Sequence, residues 1–159
     1  MRRNPLYKEQ DYQDICAQYR ARLLWLWAPV GILAALAIVS FILRIRYLTM
    51  GLTVLAGVYA IFCWGMFVAP VRAYRRHLNE VLHGRVRTAA GTFKEMEETA
   101  VWRDGVRYYP LLISVGNPDN EEDDRLFYYD ANLPRPDWQP GDALTVTAHD
   151  KALGAWQRA

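Results

Sequence analysis

Cysteine is scarce: the 159-residue chain has two, Cys16 and Cys63, and neither lies in a CxxC pair or beside a histidine. This excludes a disulfide-stapled domain and fits a reducing compartment; Cys63 is expected to act as a small apolar residue. Zinc spacing, a Gly-rich phosphate loop, a dinucleotide fingerprint and a GxSxG elbow are also lacking. The largest absence is of polar side chains: stretches 23–43 and 48–70 contain no Asp, Glu, Lys, Arg, His, Asn or Gln. That removes the intramembrane ionisable groups that pumps, transporters and membrane proteases use.

The chain does have two runs long enough to cross a bilayer, 21 and 23 residues, against the roughly 20 that a hydrocarbon core needs. Residues 44–47 are too short a link for anything but antiparallel neighbours. The formal charge of +2 conceals a split. Residues 1–84 carry 10 Lys/Arg against 4 Asp/Glu, a balance of +6, and residues 85–159 carry 9 against 13, a balance of −4. Basic residues cluster before the first run (Arg20 and Arg22 nearest) and after the second (Arg72, Arg75, Arg76), with only Arg44 and Arg46 between, so both ends are expected on the cytoplasmic side. Trp25, Trp27 and Trp64 then form an inner aromatic belt. Small residues four apart, Gly31 with Ala35 and Ala56 with Ala60, are expected where the two helices pack.

The expected organisation is a cytoplasmic amphipathic segment over 1–22, membrane helices over 23–43 and 48–70 joined by an external loop, 44–47, a basic amphipathic helix over 71–84, and a β domain over 85–159. In 71–84, Val71, Tyr74, Leu78, Val81 and Leu82 share one helical face. His77 and His83 are six apart, on different faces, and are expected to face solvent or headgroups rather than a metal. Asn4-Pro5 is a possible helix start.

Beyond residue 85 the pattern changes to short strands between turn residues. A long first strand, 85–98, has Gly91 as its expected bulge or bend. Asp104-Gly105 is a strong hairpin signal. Further strands are expected over 106–115, 125–130, 143–149 and 153–156, with turns at 139–142 and 150–151. Five strands in about 75 residues point to a small all-β barrel, OB-like (the oligonucleotide/oligosaccharide-binding type) or SH3-like. The fold class is therefore a membrane α-helical hairpin plus a five-stranded barrel.

Membrane spans followed by a small barrel with Gly-Asp-x-Leu-Thr-Val, residues 141–146, resemble the NfeD-like bacterial membrane proteins. That resemblance implies a bacterial plasma membrane and an adaptor role beside stomatin- or flotillin-like scaffolds.

Tyr108, Tyr109, Tyr128 and Tyr129 form a candidate partner or ligand surface. A stacking platform for nucleic acid is disfavoured, because a domain at −4 lacks a basic track. Asp119, Glu121, Asp123, Asp124 and Asp130 partly match a calcium loop, but the position that needs Gly holds Asp124 and the terminal Glu is Asp130. Arg20, Arg22, Arg72, Arg75, Arg76, Trp25, Trp27 and Trp64 are the expected contacts to a bilayer with anionic headgroups. No catalytic residue, cofactor or metal is implied. The expectation is a non-enzymatic module whose barrel meets a protein partner or a second copy, with a ligand or cation sensor as the alternative.

Overall fold

The computed structural model describes residues 4–116 and 120–158, and they divide into two compact units. One unit is Asp14–Arg72; the other joins Met1–Gln13 to Ala73–Ala159.

In the first unit, helix α1 (Glu9–Ile42, which begins in the other unit) is followed by α2 (Arg46–Cys63), a π-helical turn over Trp64–Val68, and α3 (Ala69–His83), most of which belongs to the second unit. These two helical stretches are long and apolar enough to cross a membrane, and only 11 % and 6 % of their most apolar portions is buried within the chain. The helical turnaround is a Schellman end. Arg44 takes φ 58°, Arg44 N–H donates to Phe41 C=O at 3.0 Å, and Ile45 N–H to Ser40 C=O at 3.0 Å. Thr49 Oγ1 donates to Ser40 Oγ at 3.0 Å, which ties the start of α2 to the end of α1. Pro29, inside α1, has no N–H for the carbonyl four residues back, that of Trp25; Tyr59 Oη on α2 donates to that carbonyl at 3.1 Å. At the other end Arg22 Nη1 donates to Phe67 C=O at 2.7 Å, and Arg72 lies 6.0 Å from the Trp64 ring centre. The helices are thus antiparallel neighbours held by a few polar contacts. Gly31 is not among their packing residues: a Cβ there would meet nothing within 4 Å.

The second unit is a closed, mixed barrel of five strands: β2 (Val86–Met96), β4 (Val106–Ser114), β5 (Asp124–Asp130), β6 (Ala143–His149) and β7 (Ala152–Arg158). The pairings run β2–β4–β5–β7–β6 and back to β2, all antiparallel except β5–β7. β2 closes the ring by pairing with β6 over Val86–Thr92 and with β4 from Thr92 onward. The handover falls beside Gly91, where a Cβ would collide with the Ser114 carbonyl, so the glycine allows close strand approach. The register irregularity itself lies between Phe93 and Glu95, not at Gly91.

β5 and β7 share one register pair, Tyr128 with Ala152. Farther along β7, β1 (Asn4–Pro5) pairs with it instead, Asn4 with Trp156 and Pro5 with Ala155. Asn4-Pro5 is therefore strand, and the helix starts at Glu9, where Asp11 Oδ2 accepts from Lys8 N–H at 2.7 Å in half of a capping box. A short β3 (Val101–Arg103) pairs with β4 alone. Its turn, Asp104 (φ 53°) and Gly105 (φ 79°), has the two left-handed residues of a tight hairpin.

Alternation along the strands fills the interior with Leu111, Ile113, Phe127, Leu144, Val146 and Leu153. The Pro-rich coil after β5 contributes Trp138, whose ring meets those of Phe93, Tyr129 and Trp156 at 5.7, 5.9 and 5.1 Å.

Candidate functional site

α3 packs on the outer wall of the barrel. Four residues at helical spacing, Tyr74, His77, Leu78 and Val81, turn inward, and Leu78 is 1 % exposed. The wall provides room: a Cβ on Gly154 would stand 2.7 Å from Val81 Cγ1.

His77 is buried, contrary to the expectation of a solvated or headgroup-facing side chain. Its Nε2 lies 3.0 Å from Tyr7 Oη and its Nδ1 2.9 Å from Tyr108 Oη. Tyr7 Oη donates onward to Asp130 Oδ2 at 2.8 Å, as does Tyr74 Oη, also at 2.8 Å. Asp130 Oδ1 accepts from Asn132 N–H and Nδ2 at 2.8 and 2.9 Å. Since Tyr7 has spent its only proton on Asp130, it must accept at His77. The imidazole is then the Nε2–H tautomer, and Tyr108 donates to Nδ1. A directed chain results: Tyr108 to His77 to Tyr7 to Asp130. It links the segment before α1, helix α3, and strands β4 and β5.

Burial, first, and the Asp130 charge, second, push the phenols of Tyr7, Tyr74 and Tyr108 well above the ordinary tyrosine value. Burial holds His77 below the ordinary histidine value, although Asp130 and Glu80 pull the other way. The phenols therefore stay protonated at neutral pH, and the neutral imidazole has both ring nitrogens engaged by tyrosine hydroxyls.

A cleft of about 360 Å³ opens beside the chain, with His77, Tyr108 and Tyr128 among its walls. Three basic side chains (Arg76, Arg103, Lys151) and three acidic ones (Glu80, Asp104, Asp150) line it. Arg76 Nε meets Glu80 at 2.7 Å and Arg103 Nε meets Asp104 at 3.6 Å.

The four tyrosines singled out in the sequence do not make one platform. Tyr108 belongs to the buried chain, and its ring meets that of Tyr128 at 5.8 Å, so these two come together at the cleft. Tyr109 lies beneath the Arg135 guanidinium at 4.0 Å, and Tyr128 beneath that of Arg103 at 4.9 Å. Tyr129 points into the core and donates to Pro134 C=O at 2.7 Å. The acidic residues do not converge either. Asp119 lies outside the described residues. Glu121 and Asp123 form a single 3₁₀ turn capped by Asn120, while Asp124 pairs with Lys94 at 2.8 Å. Among the described residues no group of three His, Cys, Asp or Glu could hold a metal ion.

Of the expected bilayer contacts, Arg20, Trp25 and Trp27 are exposed, Arg22 and Arg72 make the contacts given above, Arg75 is half-buried, and Arg76 is paired with Glu80. Sequence reasoning missed the centre of the site, His77. The signal was present, because residue 77 falls on the same helical face as Tyr74, Leu78 and Val81, and a polar residue on an apolar face needs buried partners.

No family model, curated protein or solved structure matches the chain.

Proposed function

We propose that the chain is a non-enzymatic interaction module, anchored in a bacterial plasma membrane through residues 23–43 and 48–70 with both ends inside, that offers its barrel to a protein partner. The exposed apolar surface of the helices supports the anchor. The raised phenol values and the buried imidazole support a structural rather than a catalytic role for the polar chain.

The observation that carries the partner reading is the wall formed by β2, β6 and the end of β7 beyond Gly154, where Val81 of α3 sits. Its outward row includes Val86, Thr88, Ala90, Thr145, Thr147 and Gln157, six uncharged side chains bounded by His149 opposite Val86 and by Lys94 farther along β2, in a chain that is 23 % charged. Val86 is 51 % exposed. An uncharged sheet surface of β-branched and small residues suits a dry protein contact. Copurification from native membranes in mild detergent tests it. A stoichiometric partner should accompany the native chain and be lost with the double variant Thr88→Glu, Ala90→Glu, whose thermal unfolding is checked against that of the native chain. Repeated recovery of the native chain alone would sink the proposal.

The ring order, with β5 and β7 parallel, supports the OB type over the SH3-like one. Barrels of that type bind oligonucleotides on the face of strands two and three; here α3 covers the corresponding wall of β4 and β5, which argues against a nucleic-acid role. The NfeD-like likeness rests on the same architecture and on residues 141–146.

A second reading, a ligand sensor, draws on the cleft rather than on the acidic loop. Its balanced charges suit a small zwitterion. Calorimetric titration of the detergent-solubilised chain with amino acids and phosphoethanolamine would abandon this reading if no heat appeared.

A further inference from the structure

Strand β3 takes no part in closing the barrel: it pairs with β4 and with nothing else in the sheet. The tip of the β3–β4 hairpin nevertheless has a defined seat. A Cβ on Gly105 would lie 2.8 Å from the Cβ of Ala73 on α3. On β3, Trp102 is 70 % exposed, and it is the one exposed aromatic side chain among the described residues of the barrel unit. Arg107 stands 5.8 Å from its ring centre, and the neighbouring Arg103, 43 % exposed, lies over Tyr128 and 3.6 Å from the exposed Asp104 carboxylate, a pair that phosphate must outcompete.

We propose that this hairpin is a membrane-contact arm: Trp102 enters the headgroup layer of an anionic bilayer, and Arg103 and Arg107 bind lipid phosphates. The inference rests on the reading that residues 48–70 cross the membrane. A large indole left in water is costly, but an interface accommodates both its apolar ring and its N–H. Guanidinium groups donate to phosphate oxygens in pairs, and each basic residue near an anionic leaflet adds to adsorption. The arm would give the barrel unit a second lipid contact, separate from the helices that tether it.

Fluorescence of the full chain in lipid nanodiscs tests the arm. The component that disappears in Trp102→Phe should be quenched by brominated phosphatidylcholine and shielded from iodide. That lipid quenching should weaken when phosphatidylglycerol is left out, and also in the double variant Arg103→Gln, Arg107→Gln. If the Trp102 component is quenched by iodide and ignores brominated lipid, the arm does not touch the bilayer and the proposal is overturned. Trp25, Trp27 and Trp64 keep the two failures apart. Should they still be quenched by brominated lipid in Trp102→Phe, the anchor stands and the arm alone fails; should they escape quenching as well, the anchor reading falls with it.

Discussion

In the barrel unit the hydroxyls of Tyr7 and Tyr74 converge on one carboxylate, Asp130, which also accepts from Asn132. In the helical unit the hydroxyl of Tyr59 meets one backbone carbonyl, that of Trp25. Both arrangements satisfy a polar group, yet their consequences differ. Asp130 is 1 % exposed and serves four donors, so its removal strands several groups at once. The Trp25 carbonyl is a single acceptor with a single side-chain donor, so only one bond is lost when it breaks.

The strongest way to break this comparison is Asp130→Ala. Two phenols and two amide donors lose their acceptor inside the unit, and the expected loss is about 3–5 kcal/mol, the scale for removing one partner from a buried charged network. Thermal unfolding of the full chain in detergent, followed by the fluorescence of Trp138 and Trp156, should show a large drop. A change under about 1 kcal/mol would mean that water reaches the network.

Next comes the seat of α3. Gly154→Ala puts a methyl group against Val81 and should cost about 1–3 kcal/mol through overpacking. Val81→Ala in the same chain should restore part of that loss. Additive losses would show that α3 does not rest there.

The imidazole gives a pH-dependent effect of intermediate size. His77 is held below its ordinary value in the folded chain, so the folded state resists a proton that the unfolded state accepts. Above about pH 6.5 both states are neutral and His77 adds no slope. Below it the unfolded state protonates first, so stability falls with decreasing pH until the lower folded value is reached, by at most about 1.4 kcal/mol per pH unit. The measurement is the difference in unfolding midpoint between the native chain and His77→Gln, taken from about pH 8 to about pH 5 so that it brackets the ordinary histidine value. The native chain's lead over His77→Gln should be constant above that value and shrink only on the acid side. A parallel pair of curves would refute the assignment.

How much is legible in the sequence depends on whether a pattern is local. The two uncharged runs, the Asp104-Gly105 turn and strand 143–149 all declare themselves within a few residues, through hydropathy, positive φ or alternation. Asn4-Pro5 looks like a helix start because its real partner, β7, lies at the far end of the chain. Asp130 looks like one member of an acidic cluster, although its neighbours Asp123 and Asp124 end in separate surroundings. His77 looks solvated because a histidine amid arginines usually is. Each of these depends on a partner that sequence distance conceals. For the same reason the four tyrosines of β4 and β5 read as one surface, when pleating sends Tyr108 and Tyr128 to the cleft beside α3 and Tyr109 and Tyr129 toward the core.

The smallest expected effect is also the most specific test of the helical side of the comparison. Tyr59→Phe removes the hydroxyl that serves the Trp25 carbonyl, and the expected cost is about 0.6 kcal/mol, typical of a single hydrogen bond between membrane helices. That carbonyl is free because Pro29 has no N–H to offer it. With Pro29→Ala the helix can supply the missing donor, so Tyr59→Phe should then cost close to nothing. The double-mutant cycle, read from unfolding in mixed micelles, should therefore give a coupling about equal to the single cost of Tyr59→Phe. Equal losses in both backgrounds would mean that Tyr59 acts by packing against α1, and that a proline in this helix leaves its carbonyl to something other than the neighbouring tyrosine.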